Sequence, residues 1–171
     1  GISPKRFMYD ASSRIPLIIK APGFKPKKVN YPVSQIDIVP TLLKFFGKSI
    51  PDFLPGKSLF DFTPSNVFMQ WNTDFSKDGK PTNGKKYDDC PVNPEDCKKA
   101  MMQNIRTIVT PSGLKLSLSA QDYDLSELFN LKNDPEEVNN IFYNPLYKDT
   151  VSDLRKMIID WQKKVNDTLK L

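Results

Sequence analysis

Apolar and polar positions in the first 50 residues predict one buried strand followed by one helix. The run Pro16 to Ala21 is apolar without alternation and is bounded by proline and glycine, which is typical of a central strand buried on both faces of an α/β sheet. From Ile38 to Phe46 apolar residues recur at helical spacing, and Gly47 follows where a helix commonly ends. We expect Asp37 to be the N-cap, because Pro40 then takes the third helical position, where its missing N–H has no intrahelical partner.

The middle of the chain has the pattern of a small antiparallel sheet. Four stretches have the composition of strands: Val67 to Trp71, Ile105 to Thr110, Leu114 to Leu118 and Glu127 to Leu131. The second and third are joined by the turn Pro111-Ser112-Gly113 and should pair as a hairpin. A long polar insertion, residues 73–99, separates the first strand from the second.

The end of the chain predicts an amphipathic helix. Its apolar positions advance by three or four residues: Val151, Leu154, Ile158, Trp161, Val165 and Leu169. We expect this helix to begin near Pro145, to lie across the antiparallel sheet and to bury Trp161 in the core. Before it, Asp134 as cap, Pro135 at the first position and Glu137 completing a capping box predict the start of a short helix or turn.

These elements divide into two units. An irregular segment rich in proline and glycine, residues 50–59, is followed by a change of character near Thr63-Pro64. We therefore expect residues 1–63 to be the end of an α/β sheet domain. Residues 64–171 are expected to form a small α+β subdomain, in which a long terminal helix packs on an antiparallel sheet.

Composition and charge exclude several classes of protein. The 171 residues carry a net charge of +5 from lysines spread over the whole length, whereas nucleic-acid binders usually concentrate positive charge on one face with interleaved aromatics. No stretch approaches the roughly 20 apolar residues needed to cross a bilayer, and the first residues do not have the pattern of a signal peptide. A start at Gly1, without methionine, is what we expect of a mature, cleaved or truncated product.

The two cysteines, Cys90 and Cys97, enclose a turn-rich loop short enough to bring their Cα atoms within bridging distance. A local disulfide is the favoured interpretation, and free thiols are the alternative. A zinc site would need about four ligands, and the chain has no histidine and no further cysteine. A disulfide would imply an extracytoplasmic location: periplasmic, secreted or lysosomal. In a eukaryotic secretory setting, Asn166-Asp167-Thr168 would be a glycosylation sequon.

Residue chemistry alone indicates no catalytic machinery. Without histidine there is no nucleophilic triad, and no glycine-rich turn follows a strand to bind phosphate. Pairs of carboxylates occur at Asp88-Asp89, at Asp122 with Asp124 and at Glu136-Glu137. In turns and polar loops such pairs are usually solvated or act as caps.

Short motifs nevertheless follow one another in a specific order. Lys5 is followed by Tyr9-Asp10, by Arg14-Ile15-Pro16-Leu17-Ile18 and by Ser34-x-x-Asp37-x-x-Pro40-Thr41-Leu42-Leu43. Later come Arg106-Thr107, Gly113-Leu114-Lys115-Leu116, Glu127-Leu128-Phe129-Asn130-Leu131 and Asp134-Pro135-Glu136-Glu137. This order resembles the late part of type I sulfatases, hydrolases of the alkaline-phosphatase-like superfamily. Phe129-Asn130 departs from the Tyr-Asp pair of the family.

The resemblance implies roles for individual residues. Lys5 matches the family lysine that contacts the sulfate group and the leaving oxygen, where a cation stabilises the negative charge that grows as the S–O bond breaks. The family histidine that donates a proton would lie immediately before Gly1. Tyr9, Asp10 and Arg14 are expected to support the loop before the strand.

Trp71 and Asn72 are candidates for binding substrate, because the strand that they follow runs toward the active-site rim in relatives. A tryptophan face stacks on a pyranose ring, and an amide forms hydrogen bonds with a hydroxyl group. Core packing is the alternative for Trp71.

Other parts of the family's active site have no counterpart here. The Cys/Ser-x-Pro-Ser-Arg motif that yields formylglycine is absent, and so are the carboxylate and amide ligands of the calcium ion. The resemblance thus places calcium and formylglycine in the complete enzyme, with no metal ligand in this chain, and implies an N-terminal sulfatase portion as partner.

The favoured interpretation is the C-terminal portion of a sulfatase that hydrolyses sulfate esters of an anionic sulfated carbohydrate and is inactive without its N-terminal portion. The alternatives are a non-catalytic sulfatase-like module that binds glycans or a protein, and a phosphonate or phosphate ester hydrolase of the same superfamily. In each case the strand Pro16 to Ala21 needs sheet neighbours from elsewhere. We expect exposed apolar surface near residues 15–46 and strong association with the missing part.

Overall fold

A four-stranded antiparallel sheet organises the fold, seen in a computed structural model that describes residues 8–22, 25–61, 63–73, 93, 95–96, 99 and 102–171. The strands are β1 (Val67–Trp71), β2 (Ile105–Val109), β3 (Leu114–Ser119) and β4 (Glu127–Asn130), and they lie side by side in chain order. Each neighbouring pair is antiparallel. In the turn between β2 and β3, Gly113 has a φ of +89°, a conformation that glycine adopts without strain. The predicted antiparallel sheet and its hairpin are confirmed.

Helices α1 (Asp10–Ser13), α2 (Ile38–Phe45) and α3 (Lys148–Lys164) accompany the sheet. Helix α3 follows a short 3-10 turn at Pro145–Tyr147 and packs across β2 and β3, as predicted. One apolar core joins the buried side of α3 to one face of the sheet: Val151, Leu154, Ile158, Ile108, Leu116, Leu118 and Leu128.

Helix α3 ends at a residue in the left-handed conformation. Asn166 has a φ of +55°, and the backbone N–H of Asp167 donates to the carbonyl of Gln162 at 2.9 Å. This reversal, common at helix ends, returns the chain toward β2. The carboxylate of Asp167 accepts hydrogen bonds from Arg106 Nε (2.6 Å) and from a second guanidinium nitrogen (3.0 Å). That guanidinium holds the pKa of Asp167 well below its ordinary range.

The start of α2 differs from the prediction. A 3-10 turn at Gln35–Asp37 precedes the helix, so Asp37 already has helical dihedrals and its side chain does not cap α2. Its carboxylate instead accepts the backbone N–H groups of Ser34 (2.9 Å) and Lys57 (2.8 Å), which ties the following loop to the turn. The predicted helix end is confirmed, since Phe46 caps the helix and Gly47, with a φ of +67°, follows it.

The run Pro16 to Ala21 is not a strand in this structure. The described residues contain no strand that lies beside it, and its apolar side chains are open to solvent, with Ile18 91% exposed. A buried strand needs neighbours that accept its backbone hydrogen bonds, and the described part of the chain does not supply them. The prediction of exposed apolar surface in this region agrees with the structure.

The segment after β4 forms a turn in place of the predicted capping box. Asp134 accepts the backbone N–H groups of Val138 (3.1 Å) and Asn139 (2.9 Å). Glu137 has a φ of +55° and its side chain is buried, directed away from the Asp134 backbone. The reason is electrostatic, because a buried ammonium group, that of Lys115, lies 2.8 Å from its carboxylate.

Candidate functional site

The segment from Tyr9 to Arg14 is the part of the first motif that the structure describes. It folds as the single turn of α1, with the hydroxyl groups of Ser12 and Ser13 each donating to the Tyr9 carbonyl at 3.0 Å. Serine hydroxyls that bond to a nearby carbonyl satisfy the backbone of such short turns. The turn lies on the sheet face opposite α3, where Tyr9 packs against Phe129 with ring centroids 6.1 Å apart.

Tyr9 is joined to β4 by a hydrogen bond. Its phenol donates to Glu127 Oε1 at 2.6 Å. Burial, reinforced by this bond, raises the pKa of Tyr9, so the phenol stays a donor at neutral pH. Burial also raises the pKa of Glu127, although the bond from Tyr9 opposes that shift. The pair therefore fixes the start of the segment to the far strand of the sheet.

Asp10 is joined to β3 through Lys115. The Lys115 ammonium lies 2.9 Å from Asp10 Oδ1 and 2.8 Å from Glu137 Oε1, and its side chain is only 1% exposed. The second oxygen of Glu137 accepts the backbone N–H of Asp10. The charged side chains of Asp10, Lys115 and Glu137, from three parts of the chain, thus form one ion-pair cluster at the start of α1.

Arg14 makes a weaker contact. It lies 3.5 Å from Asp10 Oδ2, but its side chain is 77% exposed. An ion pair open to solvent contributes little to stability. Of the three predicted supports, Tyr9 and Asp10 are held in the interior network, and Arg14 lies at its outer edge.

Trp71 and Asn72 lie elsewhere on the sheet. Trp71 is half-buried at the end of β1, where its carbonyl accepts a hydrogen bond from Arg106 (3.2 Å), and Asn72 is exposed. Strand alternation puts Trp71 on the same face as Glu127, but the two residues are on the opposite edge strands β1 and β4. The structure therefore does not bring the predicted sugar-binding pair next to Tyr9.

Three predicted residues lie outside the described part of the chain: Lys5, Cys90 and Cys97. The role of Lys5 and the Cys90–Cys97 disulfide stay predictions. Among the described residues, no group of three or more metal-binding side chains could hold an ion, and no helix there has the length and apolar character to cross a membrane.

An apolar groove runs between the extended segment and α2. It is lined mainly by Leu17, Ile19, Leu42, Phe45, Phe46 and Phe60. Several of these side chains are open to solvent, with Phe46 67% exposed and Ile19 51% exposed. Such a continuous apolar surface is typical of a region that packs against another part of a protein.

The network around Lys115 was not predicted from the sequence. Apolar and polar residues alternate in the stretch Leu114-Lys115-Leu116-Ser117-Leu118. In an antiparallel sheet with one solvated face, this pattern places the lysine in solvent. Glu137 fits a capping box equally well. The site depends on α1 covering the second face of the sheet. Because only the tertiary fold brings α1 there, no local sequence pattern indicates the site.

Comparisons with known proteins place this fold in a family. A model of the C-terminal region of N-sulphoglucosamine sulphohydrolase matches residues 1–78. The N-acetylglucosamine-6-O-sulfatase of Bacteroides thetaiotaomicron is 30% identical over 98% of this chain and 28% of its own length. Arylsulfatase K of Canis lupus familiaris is 34% identical over 80% of this chain and 24% of its own length.

A solved structure supports the same relationship. The chain is 26% identical, with a TM-score of 0.63, to a protein determined in complex with its substrate D-glucosamine-2-N,6-O-disulfate, over 95% of this chain and 31% of that one. The chain thus spans less than a third of the length of the relatives that it matches. The order of its motifs and its fold agree with these matches, and the chain belongs to the sulfatase family, as a C-terminal part of a sulfatase.

Proposed function

We propose that this chain is the C-terminal portion of an enzyme that hydrolyses sulfate esters of a sulfated carbohydrate. The observation that carries the proposal is the match, over nearly the whole chain, to an N-acetylglucosamine-6-O-sulfatase and to a protein solved with a disulfated glucosamine. An amino sugar that bears a sulfate ester is therefore the first substrate class to test.

Lys5 is the residue that we assign to the reaction. It precedes Tyr9 by four residues, so it lies within about 14 Å of Tyr9 along an extended chain. Glu127 holds Tyr9, and Lys115 and Glu137 hold Asp10. These contacts fix the position at which the preceding residues join the fold. An ammonium group placed at the sulfate ester would stabilise the negative charge on the departing oxygen.

The calcium ion and the formylglycine that the family implies do not fit the described residues. The carboxylates of Asp10 and Glu137 enclose the Lys115 ammonium, which repels a second cation. We assign both groups to the N-terminal portion of the complete protein, which would supply the nucleophile and the metal.

The apolar groove is where we place that N-terminal portion. Ile15, Leu17, Ile18 and Ile19 form an extended segment that buries little of its own surface. Addition of this segment to the sheet of the N-terminal portion would satisfy its backbone and bury the groove. Without that partner we expect the chain to be inactive.

Trp71 and Asn72 are proposed as a secondary sugar contact at the other edge of the sheet. Half-burial leaves part of the tryptophan ring available for stacking on a pyranose. A Cys90–Cys97 disulfide and an extracytoplasmic location belong to the same proposal, since sulfated glycans and oxidising conditions occur together outside the cytoplasm.

The test is a sulfate-release assay on the complete protein. Glucosamine 6-sulfate is the substrate, and an aryl sulfate and the corresponding phosphate ester are compared with it. Lys5→Ala should lower kcat by roughly 100-fold, since removing one preorganised charge contact costs about this much. Lys156→Ala, at an exposed position of α3 on the other face of the sheet, is the control and should leave kcat unchanged. Binding of the sugar without release would favour a non-catalytic module, and faster phosphate release would favour a phosphate ester hydrolase.

A further inference from the structure

Lys115 is a charged residue in the interior of the protein. It is the second residue of β3, and its side chain is 1% exposed. The side chains of its neighbours Leu114 and Leu116 lie on the face of the sheet that α3 covers. A buried ammonium group is unfavourable unless it is paired, and a buried ion pair can often be replaced by apolar residues without loss of stability. Stability alone therefore does not explain why a lysine occupies this position.

Both carboxylates around Lys115 act on the same short segment. Asp10 is the first residue of α1, and Lys115 binds its side chain at 2.9 Å. Glu137 binds Lys115 with one oxygen and accepts the backbone N–H of Asp10 with the other. The segment is thus held by a side-chain contact and a backbone contact at the same residue.

We propose that Lys115 and Glu137 are positioning residues that fix the Tyr9–Ser13 segment on the sheet and through it set the position of Lys5. This inference rests on the proposed function, because it gives Lys5 the role in sulfate transfer. Lys5 is separated from Asp10 by only four residues in the sequence, so we expect a shift of α1 to displace it. A displacement of about 1 Å at a reacting group lowers rates by up to ~100-fold.

A second buried ion pair on the same sheet provides a matched control. Arg106 on β2 is 3% exposed and pairs with Asp167 on the face covered by α3. No described contact joins that pair to the Tyr9–Ser13 segment. Loss of either pair should destabilise the fold to a similar degree, but only loss of the Lys115 pair should displace Lys5.

The experiment measures kcat and KM for sulfate release from glucosamine 6-sulfate by the complete protein. Lys115→Met and Glu137→Ala should each lower kcat by about 10- to 100-fold with KM nearly unchanged. Glu137→Gln keeps an acceptor for the Asp10 N–H and should recover part of that loss. Asp167→Asn, which breaks the control pair and keeps the Arg106 bond to Trp71, should keep the kcat of the folded fraction within about twofold of wild type.

The Lys5→Ala background separates positioning from general destabilisation. There, Lys115→Met should lower kcat no further, because the residue through which it acts is gone. An equal loss in both backgrounds, or an equal loss in Asp167→Asn, would overturn the proposal.

Hydrogen exchange of the Asp10 amide supplies a readout that does not need activity. We expect exchange to be at least 10-fold faster in Glu137→Ala than in Asp167→Asn at matched stability, and unchanged exchange would contradict the inference. A wild-type protein without sulfate release would refute the proposed function, whereas the exchange comparison would still decide whether Glu137 holds the segment.

Discussion

Phe68 on β1 and Trp161 on α3 stack face to face, with ring centroids 5.1 Å apart and an interplanar angle of 1°. The contact ties an edge strand to the helix that covers the sheet. Trp161→Ala should lower the free energy of unfolding by about 3 kcal/mol, because it removes a large aromatic side chain and leaves Phe68 uncovered. Urea denaturation followed by the fluorescence of the remaining Trp71 measures the loss.

Two comparisons make the Trp161 prediction specific. Trp161→Phe keeps a ring over Phe68 and should cost about 1 kcal/mol, a common value for a volume-reducing change in a partly buried contact. Lys156→Ala, at an exposed position of α3, should change stability by less than about 0.5 kcal/mol. If Trp161→Ala costs no more than Lys156→Ala, the stack does not contribute to the core.

Asp167 gives the fold a defined response to acid. Arg106 lowers its pKa in the folded state, so the pair contributes stability above the ordinary aspartate pKa near 4, and this contribution is lost as the pH falls further. Asp167→Asn should cost about 3 kcal/mol at pH 7, because it leaves a buried guanidinium without a counter-charge. Stability measured from pH 7 to pH 2 should fall less steeply in Asp167→Asn than in wild type; parallel curves would rule out this role.

The elements that the sequence predicts well are those whose pattern is satisfied locally. The alternation in β3 and the three-to-four spacing in α3 each describe a face that meets another face within the same chain. Gly47 ends α2 where predicted, because only the local backbone conformation decides that position. These predictions needed no knowledge of distant contacts.

The predictions that failed depend on partners remote in sequence. Pro16 to Ala21 has the composition of a buried strand, but a strand exists only beside another strand, and none lies next to it among the described residues. The side chain of Glu137 does not take the predicted capping role, because Lys115, 22 residues earlier in the sequence, attracts its carboxylate. Local pattern does not reveal which face of the sheet α1 will cover, so the Lys115 network could not be predicted.

Substitution of Tyr9 should cost more stability than substitution of its partner Glu127. Tyr9→Phe removes the donor at 2.6 Å and leaves a half-buried carboxylate short of a partner, so it should cost about 2 kcal/mol at pH 7. Glu127→Gln keeps an acceptor for the phenol and removes a carboxyl group whose pKa is raised by burial. It should be within about 1 kcal/mol of wild type at pH 7, or more stable.

The pH dependence of that comparison follows from the sign of the shift. A carboxyl group with a raised pKa in the folded state favours folding below its ordinary pKa, and this benefit is lost as the pH rises through the folded value. Between pH 4 and pH 7, Glu127→Gln should therefore gain stability relative to wild type. Thermal unfolding at both pH values measures the difference, and a loss relative to wild type over that range would contradict the assignment.

Ile18 tests whether the extended segment docks on another portion of the protein. It is 91% exposed in the 171-residue chain, and an aspartate there should improve the solubility of this chain by breaking an apolar surface. In the complete protein the same Ile18→Asp change should lower stability by about 3 kcal/mol or more, because the charge would be buried without a partner. Leu146→Asp, at a position 87% exposed before α3, is the control and should be nearly neutral in both contexts. Equal tolerance of the two substitutions in the complete protein would mean that residues 15–19 stay exposed there, and the groove would then have no role in joining the two portions.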